Sequence, residues 1–186
     1  GSYVHVTSIL NKADIDPHDF EPTAATAKLY QNADLLISNA GGYDTWSTDL
    51  AKANTTARRI NVATLVNYQT GDNEHFWYNP TVPAKLVAKI ARQLGDLDPT
   101  HAQRYQQNAA AYQKKLTRLT KVRESVKKIS TGKKVLTTEP VYDNTLHALG
   151  MTILVPAFAQ SVDEGDDPSS ATIRDWQETV ASGNVS

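Results

Sequence analysis

The chain has 186 residues, of which 40% are hydrophobic and 21% are charged, and its formal net charge is -1. This length suits one domain or two small lobes around a buried core, and the near-neutral charge points to neither nucleic acid nor an anionic membrane surface as a partner. The sequence contains no cysteine, which excludes disulfides, thiolate metal sites and cysteine nucleophiles.

The first third of the chain alternates between strand and helix patterns. We predict strands at Val4–Leu10, Leu35–Ser38 and Ile60–Val66. Between them we predict one helix after Thr23 and another over about Asp44–Lys52. Strands that alternate with helices in this way argue for an α/β fold with a parallel sheet.

The middle of the chain carries its longest amphipathic pattern. After a helix over about Val82–Leu94, apolar or small side chains recur every three or four residues from Ala102 to Ile129. Pro99 suits the start of this helix and Gly132 its end. A helix over Pro99–Ser130 would be about 48 Å long at 1.5 Å per residue. Such a helix is either a coiled-coil arm or a rigid connector between two lobes.

The β/α alternation resumes after this long helix. We predict strands at Lys134–Thr138 and Met151–Val155, and helices at Val141–Leu149 and about Ala171–Val180. Between the last two of these elements lies an acidic run, from Asp163 to Asp167. Because the run lacks the spacing of a calcium-binding loop, we predict that it is a solvated loop.

Three segments concentrate residues that can bind a metal: DPHDFEP with His18, NEHFWY with His75, and TTEP with Glu139. Two imidazoles and one carboxylate form a mixed nitrogen and oxygen set that suits Zn²⁺ or Mn²⁺. The first and third segments follow predicted strands, where open α/β sheets bind ligands. The separations of 57 and 64 residues match no local zinc motif. On spacing alone, each residue could equally have a surface, packing or capping role.

Taken together, these segments resemble the zinc- and manganese-binding solute-binding proteins of bacterial ABC transporters. The matching stretches are DPHDFEPT with NADLLISNAGGYDTW, then NEHFWYNPTVPAKLV through AAAYQKKL, then VLTTEPVYDNTLHALGM. The resemblance implies two α/β lobes with parallel sheets, joined by one long helix. It places the first lobe at residues 1–98, the linker helix at 99–130 and the start of the second lobe at 131–186.

The same resemblance implies that His18 and His75 from the first lobe and Glu139 from the second bind one divalent ion, with Trp77 and Tyr78 in the wall of the cleft. Many zinc-type members have histidine where Glu139 stands, so this set leans toward Mn²⁺ while remaining compatible with Zn²⁺. The implied function is capture of the ion outside the cytoplasm, at the cell surface or in the periplasm, for delivery to a membrane permease. A lipid anchor would attach the full-length protein to the membrane.

Parts of the family pattern have no counterpart in this sequence, namely the opening strand and helix and a fourth, acidic ligand. We therefore expect a chain truncated at both ends, with at most three protein ligands and weakened or absent metal binding. One alternative is a metal-dependent hydrolase with the same ligands, for which Asp19 and Glu21 are the only nearby candidates for a general base. Another is an adhesin-type surface protein, a role ascribed to some relatives.

Overall fold

A computed structural model describes residues 3–12 and 15–186. The helices are α1 to α8, at Ala24–Gln31, Thr45–Lys52, Val62–Val66, Val82–Leu97, Ala102–Ser130, Asp143–Ala148, Pro156–Asp163 and Ser170–Ala181. The strands are β1 to β4, at Leu35–Ser38, Arg58–Asn61, Lys134–Val135 and Thr152–Ile153. Short 3₁₀ turns occupy Phe76–Tyr78, Pro99–His101 and Pro140–Tyr142.

The chain divides into two compact units. The first unit comprises Gly1–Glu74 with Ala84–Gln113, and the second comprises His75–Pro83 with Lys114–Ser186. Each unit contains one parallel pair of strands, β1 with β2 in the first and β3 with β4 in the second. The predicted α/β class, with small parallel sheets and one long helix, is therefore confirmed.

A buried asparagine fixes the loops of the first unit. Asn54 is only 6% exposed, and both ends of its side-chain amide are used. Its Nδ2 group donates to three backbone carbonyls, those of Tyr30, Gln31 and Ala33. Its Oδ1 atom accepts from the backbone and hydroxyl of Thr56 and from the backbone of Ala57. One side chain thus joins the end of α1 to the turn that enters β2.

The strand predicted at Val4–Leu10 is wrong, because these residues form no regular secondary structure. Val6 is 82% exposed, whereas Val4 packs against a buried cluster of Ala91, Tyr105 and Ala109. A β-rich composition describes residues that fit a pleated surface, but a strand also needs a neighbour for its hydrogen bonds. Among the described residues this segment pairs with no strand and contributes a packing contact instead.

The strand predicted at Ile60–Val66 is only partly right. The observed strand β2 ends at Asn61, and helix α3 begins at Val62. The Asn61 side chain accepts a hydrogen bond from the backbone N–H of Thr64, as an N-cap does. This cap ends the strand and starts a helix inside an apolar run that is too short to show helical periodicity.

Helix α5 contributes residues to both units, because the division falls between Gln113 and Lys114. From its middle onward the helix is largely exposed, with Leu119 at 61% and Ile129 at 73%. It carries eight basic side chains and one acidic side chain, Glu124. Its last residue, Ser130, is buried and donates a hydrogen bond to the carbonyl of Leu149.

The second unit contains a helix that the sequence did not reveal. Helix α7 spans Pro156–Asp163, with proline at its first position. The residue before it, Val155, has φ 49° and ψ 50° in the left-handed region. The observed strands β3 and β4 have two residues each and are shorter than predicted. No helix of the described residues is both long and apolar enough to cross a membrane.

Candidate metal site

In the first unit, the loop that carries His18 is held by aromatic contacts. The Trp46 Nε1–H donates to the carbonyl of Pro17 at 3.0 Å, and the Phe20 ring meets the Trp46 ring edge-on. The His18 ring itself stands edge-on to Tyr43, with 5.0 Å between the ring centroids. The backbone N–H of His18 donates to the Asp16 carboxylate at 2.9 Å. These contacts fix the loop, as a ligand-presenting segment requires.

In the second unit, His75 is a buried residue at the start of a 3₁₀ turn. It is only 2% exposed, and its ring lies edge-on to Trp77. Its backbone carbonyl accepts hydrogen bonds from the side-chain amide of Asn144 and from the backbone of Tyr78. The neighbouring Phe76 is also buried, and it anchors the turn from inside. The imidazole is therefore held by the backbone on one side and by an aromatic ring on the other.

The carboxylate beside His75 in this unit is that of Asp163, the last residue of α7. The His75 Nε2 atom lies 3.5 Å from the Asp163 Oδ1 atom, and their side chains are 3% and 13% exposed. This separation is longer than an ordinary N–H···O hydrogen bond. Two donors that share one ion at bond lengths of about 2.0–2.2 Å are about 3–3.5 Å apart, so the pair fits a Zn²⁺ or Mn²⁺ ion.

The chemistry of this pair agrees with its geometry. A neutral imidazole and a carboxylate form a donor set that suits zinc and manganese and lacks the thiolates that softer metals favour. Because both groups are shielded from water, a cation between them would interact with them more strongly than at an exposed site. The residues present therefore fit a divalent transition metal.

Sequence reasoning missed Asp163, because this residue belongs to the acidic run that is predicted to be a solvated loop. That prediction is wrong for Asp163, which is helical and mostly buried, whereas the next four residues are exposed. The signal that could have revealed it was Pro156 at a helix start, followed by apolar residues at Phe158, Ala159 and Val162. That helix ends at Asp163 and directs it inward.

Glu139 lies in the same unit as His75 and Asp163, but it is not among the residues whose possible ligand atoms lie close to theirs. It precedes the 3₁₀ turn at Pro140–Tyr142, and its side chain is exposed and makes no capping hydrogen bond. The carboxylate next to the His75 ring comes from Asp163 instead. The roles of His18, His75 and Glu139 as ligands stay predictions.

The two aromatic residues predicted to wall the cleft are both partly exposed, Trp77 at 43% and Tyr78 at 37%. Their rings lie next to each other, and Tyr78 also meets the Tyr142 ring edge-on at 4.9 Å. Trp77 is in contact with the His75 ring. They therefore form an accessible aromatic surface in the second unit, beside one of the candidate ligands.

The α/β fold with small parallel sheets and one long helix, together with the buried histidine–carboxylate pair, is compatible with a metal-binding protein. The sequence matches the family described as zinc-uptake complex component A, periplasmic (ZnuA), over residues 1–186. The chain belongs to this family, so the resemblance inferred from its motifs is confirmed.

Individual relatives include a zinc protein and a manganese protein. The chain is 24% identical to the high-affinity zinc uptake system protein ZnuA of Bacillus subtilis (strain 168), over 95% of this chain and 61% of that protein. It is 31% identical to the manganese ABC transporter substrate-binding lipoprotein scaA of Streptococcus gordonii, over 66% of this chain and 45% of that protein. The chain thus spans about half the length of these relatives.

The fold is also similar to that of a solved structure. A crystal structure of ZnuA aligns with 99% of this chain and 72% of its own length, with a TM-score of 0.76 and 22% identity. At this identity the likeness establishes the fold, which is that of the metal-binding solute-binding proteins.

Proposed function

We propose that this chain is part of an extracytoplasmic receptor that captures a divalent transition metal and delivers it to an ABC importer. The observation that carries the proposal is the His75–Asp163 pair, which is buried and spaced for one ion, in a chain of the zinc-uptake family. The metal is cargo, so the site must bind it and later release it. The metal-dependent hydrolase alternative receives no support from the comparisons with known proteins.

We propose His75 and Asp163 as ligands of this ion, and we retain His18 as a further ligand from the family motif. His18 comes from the first unit, and its binding to the same ion as His75 is part of the proposal. Glu139, predicted from the family motif, remains a candidate for a further ligand. We also retain residues 1–98, 99–130 and 131–186 as first lobe, linker helix and start of the second lobe.

The nature of the ion follows from the ligand set. Two imidazoles with one carboxylate suit Zn²⁺ or Mn²⁺, and each further carboxylate shifts the preference toward Mn²⁺. We therefore propose Zn²⁺ and Mn²⁺ as the cargo. The partner would be the membrane permease of the importer, and the full-length protein would act in the periplasm or at the cell surface, held by a lipid anchor.

Isothermal titration with Zn²⁺ and Mn²⁺ tests the proposal. Loss of a residue that supports a metal ligand from outside lowers metal affinity about 10–100-fold. His75→Ala and Asp163→Asn each remove a proposed ligand itself, so we expect a larger fall in affinity. His18→Ala should have a similar effect if both units hold the ion. Glu139→Gln decides whether that residue is a ligand as well.

Matched controls come from the same segments. Glu164→Gln removes the exposed carboxylate next to Asp163, and His5→Ala removes an exposed histidine. Both should bind metal as the unchanged protein does. Equal affinity in His75→Ala, Asp163→Asn and the controls would contradict the proposed ligands, and an unchanged protein that binds neither ion would contradict the proposed function.

A further inference from the structure

A second buried carboxylate lies in the unit that contains His75 and Asp163. Asp143 is the first residue of α6 and is only 6% exposed. Its Oδ1 atom has no hydrogen-bond partner among the described residues. A buried carboxylate oxygen without a partner loses its hydration and gains nothing in exchange. In the metal-free protein this oxygen of Asp143 is therefore left without a compensating hydrogen bond.

The charges around Asp143 connect it to the candidate metal site. Burial raises the pKa of Asp143, while Thr137, His147 and His75 act to lower it and Asp163 acts to raise it. The Thr137 hydroxyl is buried and lies near enough to Asp143 to lower its pKa, but it falls short of hydrogen-bond geometry. The charges of His75, His147 and Asp163 therefore all act on Asp143, although its Oδ1 atom has no hydrogen-bond partner among the described residues.

A divalent ion at this pair would change that balance. It would add two positive charges close to a carboxylate that water does not screen, where electrostatic interactions are strongest. The ion would be stabilised by Asp143 without direct coordination, as the outer carboxylates of metal sites stabilise the ions in their centres.

We propose that Asp143 is a positioning residue of the metal site: its buried carboxylate, with one oxygen that lacks a hydrogen-bond partner, raises the affinity of the His75–Asp163 pair for a divalent cation. The inference rests on the proposed function, because it presupposes that the pair binds the ion. It adds to that function a residue whose charge serves the loaded state and destabilises the empty one. Neither the ligand motif nor the acidic run suggested this residue.

The test compares Asp143→Asn with the unchanged protein in two measurements. Zn²⁺ and Mn²⁺ affinity, measured by calorimetry, should fall about 10–100-fold. The melting temperature of the metal-free protein should stay the same or rise, because the amide has the shape of the carboxylate without its buried charge. A residue with a merely structural role would lower the melting temperature instead.

The control is Asp175→Asn, which removes an exposed carboxylate from α8 in the same unit and should change neither measurement. Asp143→Ser is a second variant without the charge. Unchanged affinity in a folded Asp143 variant would overturn the inference, and so would failure of both variants to fold without metal. If the unchanged protein binds neither ion, the proposed function fails and not the role of Asp143 alone.

Discussion

At the scale of single residues, the first unit depends on a polar side chain as much as on its apolar core. Asn54 is buried and makes six hydrogen bonds with two loops that are distant from each other in the chain. Three are donated to the backbone carbonyls of Tyr30, Gln31 and Ala33 at the end of α1. Only an amide of this size offers donors and acceptors in both directions.

Asn54→Ala should lower the free energy of unfolding by about 2–3 kcal/mol, because it removes all six hydrogen bonds of a buried side chain. Urea unfolding followed by circular dichroism measures the change. The matched control is Asn108→Ala on the exposed surface of α5, where alanine favours the helix and stability should not fall. Equal effects of the two substitutions would show that the six hydrogen bonds contribute nothing measurable.

Val155 is a residue under backbone strain, immediately before α7. Its φ of 49° lies in the left-handed region, where a β-branched side chain is strongly disfavoured. The helix that it introduces ends in Asp163, so the strained turn helps to direct the candidate ligand. Strain of this kind persists only where the surrounding structure enforces it.

Val155→Asn should raise the free energy of unfolding by about 0.5–1 kcal/mol, because asparagine tolerates the left-handed conformation that costs valine about 1–2 kcal/mol. Val162→Asn, the same change inside α7, is the control and should destabilise the protein. Thermal unfolding of both variants distinguishes these outcomes. A loss of stability in Val155→Asn would mean that the packing of the valine outweighs its strain.

The residues of the candidate site were predictable to different degrees. His18 and His75 could be proposed from the sequence because they stand in segments whose order along the chain matches a family, and their roles as ligands stay predictions. Asp163 could not be proposed, because its neighbours are acidic and hydrophilic and a run of carboxylates ordinarily faces water. Asp143 comes shortly after the TTEP segment, but aspartate is common at the start of a helix, so the sequence offers no reason to select it. Its burial and its missing partner are properties of the folded chain.

At the scale of elements, the start of α5 is held by a small polar cluster. The Asp98 carboxylate accepts hydrogen bonds from the Tyr105 hydroxyl and the His101 ring, both at 2.7 Å. The ring of Tyr3 stacks on His101. The hydrogen bond from Tyr105 is the main reason that the pKa of Asp98 lies below its usual value. The same bond, with burial, raises the pKa of Tyr105 to about 12.

This cluster should make stability depend on pH at both ends of the scale. The pKa of Asp98 is lowered in the folded state, so its contribution is present above the unfolded pKa and is lost as pH falls through the folded value. The pKa of Tyr105 is raised, so its contribution is present below about 10 and is lost as pH rises toward about 12. Tyr105→Phe should remove the alkaline dependence and weaken the acid dependence, which His101 also supports, as measured by urea unfolding across pH.

The corresponding control is Tyr112→Phe, at a tyrosine of α5 that is 46% exposed. It should leave the pH dependence of stability unchanged. In addition, Asp98→Asn should lower the pKa of Tyr105 toward its usual value of about 10, which ultraviolet absorbance would detect. A tyrosine that still ionises near 12 in this variant would assign the raised pKa to burial and not to Asp98.

The elements themselves differed in how well the sequence predicted them. The long helix was predictable within a few residues, because its stripe of apolar positions extends over eight turns and local signals mark both ends. The strand at Val4–Leu10 was wrong, and α3 and α7 were missed. A strand requires a partner elsewhere in the chain, and helices of five and eight residues are stabilised by their caps and by packing more than by a repeating pattern.

At the scale of the whole molecule, the charge of the protein is unevenly distributed. The formal charge of α5 is +7, from eight basic and one acidic side chain, while the whole chain has a charge of -1. The residues outside α5 therefore sum to -8. The acidic residues outside α5 include Asp143 and Asp163, the two carboxylates that we assign to the metal site. The residues that would attract cations and the basic helix that would repel them therefore occupy different parts of the sequence.

This separation has a practical consequence in chromatography. At a pH just above the sequence pI of 6.6, net charge alone predicts no retention on a cation exchanger. The exposed basic helix should nevertheless bind the resin, and replacing Lys114, Lys121 and Lys128 with glutamine should bring elution to lower salt. The same three-charge change at Lys12, Lys28 and Lys85, outside the helix, should shift elution less. Retention on the resin would then be determined by the local charge of α5 and not by the nearly neutral net charge of the chain.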